Sequence, residues 1–161
     1  MKLPESLMQK ILIVDDDERI SEGLKRLVEE VSPKDKVSKA LTLESARKKI
    51  KNSNIVFLDL NLGGSHLDGL ELLDDINSKQ KIFILSGEDD SDVRSAIEGR
   101  GFDFFRKDEF AWAPKSYLRK ALGIYSFKGP EDFFKDDFIT ANGMQREMIC
   151  DTLLKVREDT N

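Results

Sequence analysis

The chain reads as an α/β protein built on one parallel sheet with helices on both faces. Three observations point there. Four short apolar runs, residues 11–14, 55–58, 82–85 and the broken run 102–105, are rich in the Ile, Val and Phe that favour strands. Three of these runs are apolar at every position instead of alternating, as parallel strands covered on both faces are. Stretches with helical spacing separate them, and repeated strand–helix units imply a parallel sheet.

The elements follow in order. After the strand at 11–14, Ile20, Leu24, Leu27, Val28 and Val31 recur at helical spacing, and Ser32–Pro33 closes that helix. A weaker strand is expected at 37–41. Leu43, Ala46 and Ile50 form a second helical stripe, with Thr42 as its cap and lysines facing outward. The strand at 55–58 precedes a third stripe, Leu70, Leu73 and Ile76. The strand at 82–85 precedes a fourth, Val93, Ala96 and Ile97, capped by Asp90 or Ser91 and closed near residues 99–101. The strand at 102–105 precedes a fifth, Tyr117, Leu118, Ala121 and Leu122, with Pro114 in its first turn. Residues 124–137, with Gly129–Pro130 and an acidic, aromatic composition, read as a linker. Beyond it Met144, Met148, Cys150, Leu153, Leu154 and Val156 suggest one more amphipathic helix. One helix cannot bury its own apolar face, so it must dock on the domain, on a partner or on further sequence.

Composition narrows the function. With 161 residues the chain is about one domain, long enough to bury roughly 70 % of its unfolded surface without a disulfide or metal staple. Its 26 basic and 31 acidic residues leave a net charge of −5, which argues against a general nucleic-acid or membrane-surface binder. One histidine, His66, and one cysteine, Cys150, nearly exclude a zinc site. The lone cysteine forbids an internal disulfide and fits a reducing compartment. No apolar run approaches a membrane span, and the first ten residues lack a signal-peptide core. A soluble cytoplasmic domain is expected, with chemistry resting on carboxylates, hydroxyls and lysines.

Those groups fall at the strand ends. The first strand runs into Asp15, Asp16 and Asp17, the third into Asp59, Leu60 and Asn61, the fourth into Ser86 and Gly87, and the fifth through Arg106 into Lys107. Ligands of an open parallel sheet bind beyond the carboxyl ends of its strands. Asp15, Asp16, Asp59, Ser86 and Lys107 are therefore expected to converge on one site. Taken singly, each is an ordinary turn, cap or surface residue; the conjunction of the right types at four strand ends carries the signal. Carboxylates about 4 Å apart repel by about 4 kcal/mol per pair at an effective dielectric of 20. Such a cluster takes up protons or binds a cation. Magnesium suits it, preferring hard oxygens and sharing its shell with water and phosphate. Ser86 and Lys107 then offer a hydroxyl and a point charge to phosphate oxygens. Asp59, at the end of an apolar central strand, could accept a phosphoryl group.

These stretches, KILIVDDD at 10–17, NIVFLDLN at 54–61, ILSG at 84–87 and GFDFFRK at 101–107, resemble the receiver domain of bacterial two-component response regulators. The resemblance covers residues 8–123 and matches in order and spacing. It implies a flavodoxin-like, doubly wound five-stranded sheet of order 2-1-3-4-5. It also implies that Asp59 takes phosphate from a histidine kinase or phosphotransfer protein. Asp15, Asp16 and Asp59 would hold Mg2+, with the Asn61 carbonyl as a further ligand. Ser86 would swing toward the phosphoryl group, Lys107 would pair with it, and Phe104 would be the aromatic switch that moves inward with Ser86. Asn61 and Glu88 lie where such domains tune their own dephosphorylation. Phosphorylation would change a partner or homodimer surface and so control an output, transcription above all.

Two departures stand out. Receivers usually carry a proline soon after the phosphoacceptor. Here residues 62–67 have none, and the loop is about two residues longer before Asp68–Gly69. The residue after the lysine is usually proline and here is Asp108. His66, among small polar neighbours, is expected in solvent and without a role. The tail, residues 137–161, is similar to the opening of the AAA+ ATPase domain in sigma-54-dependent, NtrC-like activators; the alternative is a plain tail helix. No Gly-Lys pair occurs, so no Walker A motif and no ATPase is implied for these residues. They show no basic recognition helix either; DNA binding could come only through further sequence. Two other functions fit part of the pattern. Haloacid-dehalogenase-like phosphatases also place an Asp nucleophile after a strand, but their acidic pair comes late and here it comes early. A degenerate receiver acting only as an interaction module would keep the fold and lose the chemistry.

Overall fold

The computed structural model describes residues 8–64, 67–87 and 91–124. His66, Glu88, Asp90 and everything from residue 125, the linker and tail helix included, lie outside the described residues. The chain divides into two compact units, residues 1–107 and 108–161.

The first unit holds the sheet. Its strands are β1 (Lys10–Val14), β2 (Lys36–Ala40), β3 (Ile55–Leu58), β4 (Lys81–Ser86) and β5 (Asp103–Arg106). They pair in parallel in the order β2-β1-β3-β4-β5. The fold is thus the expected flavodoxin-like one. β3 is buried at all four positions and β1 and β4 at all but their first lysine, whereas edge strand β2 alternates. Helices α1 (Glu18–Val31), α2 (Leu43–Ile50) and α3 (Ser91–Gly99) connect them, with a 3₁₀ helix (Asp68–Asp75) after β3. Right-handed crossovers put α1 on one face, because β1 to β2 runs one way across the sheet. They put α2, the 3₁₀ helix and α3 on the other, because β2 to β3, β4 and β5 runs back.

Registry decides which side chains meet. Val14, Leu58, Ile84 and Phe104 lie level on one face and join Ala46, Ile50, Leu72 and Ile97 in one buried cluster. On the opposite face the rings of Phe57, Phe83 and Phe105 stack in a row, with centroids 5.4 and 6.2 Å apart.

Local physics explains where the elements begin and where they depart from expectation. Asp17 caps α1, accepting from the Arg19 and Ile20 amides, and Thr42 caps α2 through the Ser45 amide. Ile20, read as part of the α1 stripe, is 40 % exposed, and Ser21 occupies the buried position beside it. The third helix is 3₁₀ and not α. Leu70, Leu73 and Ile76 step by three, which is the 3₁₀ period.

In the second unit the described part is the helix pair α4 (Lys107–Trp112) and α5 (Pro114–Leu122), α4 beginning on the last residue of the first unit. α4 was not expected from the sequence. Asp108 and Glu109 in its first turn complement the helix dipole. Phe110 and Tyr117 stack at 5.9 Å, Pro114 opens α5, and Gly123 closes it with φ +68°. Burial and the charge of Glu109 raise the Tyr117 pKa. Among the described residues no helix is long and apolar enough to cross a membrane.

Candidate functional site

The carboxyl ends of β1 and β3 sit side by side. The Asp59 amide donates to the Val14 carbonyl at 2.8 Å, and the Asp15 amide to the Ala40 carbonyl at 3.2 Å. The chain therefore delivers both acids to the same edge of the sheet. Asp15 and Asp59 are 4 % and 5 % exposed, while Asp16 faces solvent. One carboxylate oxygen from each of Asp15, Asp16 and Asp59 lies within 4.8 Å of the others.

Lys107, just past β5, reaches into this cluster. Its Nζ donates to Asp59 Oδ2 at 2.9 Å and pairs with Asp15 Oδ2 at 2.8 Å. One ammonium thus bridges two buried carboxylates, 48 residues of chain from Asp59. Burial raises the Asp59 pKa; Lys107 opposes that shift and the charge of Asp15 adds to it. Burial works against the Lys107 charge, but its bonds to Asp15 and Asp59 prevail and its pKa is raised.

The remaining expected residues take distinct places. Asp17 belongs to the helix: its carboxylate caps α1, and its amide donates to Asp15 Oδ1 at 2.9 Å, fixing that side chain. The Asn61 amide donates to Asp59 Oδ1 at 3.2 Å, so both Asp59 oxygens are held. The Asn61 side chain is turned to the loop, accepting from the Leu67 amide at 3.1 Å. Ser86 is fully buried as the last residue of β4, the strand between β3 and β5. Phe104 is already inward, 5 % exposed in the core cluster, with the Arg94 guanidinium 5.3 Å above its ring.

Sequence reasoning gave no task to Asp68. It is 7 % exposed and accepts from the Leu62 amide at 2.7 Å and the Gly64 amide at 3.1 Å. Gly69 donates to the Leu60 carbonyl at 2.7 Å. A Cβ at Gly69 would stand 2.5 Å from the Asp59 carbonyl oxygen, so only glycine fits there. The available signal was the Asp-Gly pair nine residues after the strand-end acid.

The donor set fits a small hard cation. Three carboxylate oxygens gathered within 4.8 Å of one another are the hard, anionic donors that Mg2+ prefers. Asp15, Asp16 and Asp59 are the residues that could hold it.

The sequence profile of the response regulator receiver domain matches residues 11–111. The nitrogen assimilation regulatory protein NtrX of Azorhizobium caulinodans is 34 % identical over 101 residues, which are 60 % of this chain. The match spans 22 % of that protein's length. Among solved structures, the receiver domain of a DNA-binding response regulator from Colwellia psychrerythraea superposes with a TM-score of 0.62 at 22 % identity. It covers 71 % of this chain and 98 % of that one. A receiver protein from Burkholderia phymatum gives 0.58 at 19 % identity, over 73 % and 98 %. At these identities the two structures speak for the fold alone.

Proposed function

The chain belongs to the response regulator receiver domain family of two-component systems, and on that premise we propose that it is a phosphoacceptor switch with Asp59 as the acceptor. One observation carries the reading: Lys107 bridging Asp59 and Asp15 at 2.9 and 2.8 Å, beside the exposed carboxylate of Asp16. A lysine held at a buried acid pair is positioned to meet the oxygens of an incoming phosphoryl group.

An Asp59 oxygen attacks phosphorus, an O–P bond forms, and the N–P bond to a donor histidine breaks. The histidine nitrogen leaves with the electron pair and takes up a proton. The Asn61 amide on Asp59 Oδ1 orients the carboxylate. Bound Mg2+ would offset charge on the phosphoryl oxygens. Lys107 exchanges its bond to Asp59 for one to a phosphoryl oxygen, and Ser86 supplies a hydroxyl. Phe104, on the strand beside Ser86, reports the change to the surface. Phosphorylation adds about two negative charges, enough to bias a two-state surface by a few kcal/mol.

The donor would be a histidine kinase or phosphotransfer protein, and a homodimer the form favoured by phosphorylation. Residues 8–123 would be the receiver, 124–137 a linker and 138–161 the start of an AAA+ domain. The output would be transcriptional, of the sigma-54, NtrC-like kind, and cytoplasmic; the match to a nitrogen assimilation regulatory protein supports a regulatory output. Receiver domains are signalling modules, so turnover is limited to the domain's own phosphorylation and dephosphorylation.

The test is incubation with Mg2+ and acetyl phosphate, followed by intact mass. A gain of one phosphoryl group is expected, lost in Asp59→Asn. No gain by the wild-type chain, together with no beryllofluoride binding, would leave only the interaction-module reading. Multiple turnover of a phosphate ester would mean a phosphatase instead.

A further inference from the structure

Among the described residues three carboxylates are buried, Asp15, Asp59 and Asp68. The phosphoacceptor reading uses the first two. We infer that Asp68 is a positioning residue for that site: its carboxylate staples the loop that carries Asp59 and Asn61, and so sets the geometry in which a divalent cation and a phosphoryl group are held. The inference rests on that reading of the site.

The loop from 60 to 69 contains no proline, and Gly63 (φ +82°) and Gly64 leave its backbone free to move. Something else must restrict it. Asp68 accepts at Oδ1 from the Leu62 amide (2.7 Å) and at Oδ2 from the Gly64 amide (3.1 Å), so one side chain holds the backbone on both sides of Gly63. The fit is close: a Cβ at Gly64 would sit 2.6 Å from Asp68 Oδ2. The next residue, Gly69, grips the same segment from below by donating to Leu60 and packing on the Asp59 carbonyl. Leu62 is locked in the core, 6 % exposed. The Asn61 side chain closes the ring by accepting from Leu67, a non-glycine residue held at φ +57°. A left-handed leucine persists only where its surroundings over-determine it. The loop is thus braced against the backbone of the acceptor itself, and partners of this outer kind typically control metal affinity by about 10- to 100-fold.

Asp68→Asn is the discriminating change. It keeps size and one acceptor but turns an NH2 toward a backbone amide. The full chain is titrated with MgCl2 and followed by 1H–15N spectra, beside Ile97→Ala, a core variant in α3, an element that carries none of the site residues. The expected result is a Mg2+ dissociation constant raised about tenfold in Asp68→Asn, with faster exchange of the Leu62 and Gly64 amides, and an unchanged constant in Ile97→Ala. An unchanged constant in Asp68→Asn, or an equal rise in Ile97→Ala, overturns the staple while leaving the phosphoacceptor reading intact. No Mg2+ binding by the wild-type chain overturns that reading and the staple with it.

Discussion

At the residue scale, the site is governed by the cost of burying charge. The Asp59 pKa is raised above the ordinary 3.8, chiefly by burial. The folded state therefore holds this proton more tightly than the unfolded chain does. Its contribution to stability is favourable at low pH and is lost as pH climbs from 3.8 through the raised folded value. In metal-free buffer at pH 7, Asp59→Asn is expected to be more stable than wild type, and the gap should close toward pH 4 in urea titrations at both pH values. Lys107 works in the opposite sense. Its folded pKa is raised above 10.5, so its contribution is complete below that pH and is lost as pH rises through the folded value. Lys107→Ala strands two buried carboxylates and should cost about 3 kcal/mol in denaturant unfolding, with Mg2+ recovering part of it. Gly69→Ala drives a Cβ into the Asp59 carbonyl and the Leu60 Cα, backbone atoms that cannot swing aside. It should cost about 2 kcal/mol and slow phosphorylation by acetyl phosphate.

At the element scale, the short connections after the strands set the site's precision. Asp17 does two jobs there, capping α1 and bonding Asp15, so α1 and that buried acid are tied together. Asp17→Ala should lower stability by about 1 kcal/mol, read as a lower thermal midpoint. The 3₁₀ helix shows how much of an element can be seen in advance. Its apolar residues were legible, but their step of three was read as the edge of an α-helical stripe. Periodicity over so short a span does not separate the two helices. Ile20 fitted the α1 stripe by spacing and is exposed all the same, because the inward face of the helix runs through Ser21, Leu24 and Val28 and leaves Ile20 on its flank. α4 escaped notice for a related reason: six residues carry too few apolar positions to show a period.

At the scale of the whole sheet, the strand order puts β1 beside the central β3, so their acids converge where the direction of winding reverses. Folding and site assembly are then one event. Bound Mg2+ should stabilise the native state by about 2.7 kcal/mol at a hundredfold excess over its dissociation constant. A thermal midpoint that rises with MgCl2, rises further with beryllofluoride and returns on adding EDTA is the expected pattern.

The sequence by itself determined the strands, their parallel pairing and the residue types at their ends. These depend on local propensity, on burial of both sheet faces and on the rule that parallel strands end on one side. It therefore announced Asp15, Asp16, Asp59 and Lys107 as neighbours, and the structure gathers them: Lys107 bonds to Asp15 and Asp59, and an Asp16 oxygen lies within 4.8 Å of theirs. Only the tertiary structure decided that Lys107 bridges two carboxylates at once, that Phe104 lies inward, that Asp17 is a cap and not a fourth site acid, and that Asp68 braces the loop. Each of these turns on where a distant backbone amide or charge comes to rest, to within a few tenths of an ångström. Spacing along a chain carries no such information, because hydrogen bonds and ion pairs depend on distance in space, which only the packed sheet and its loops fix.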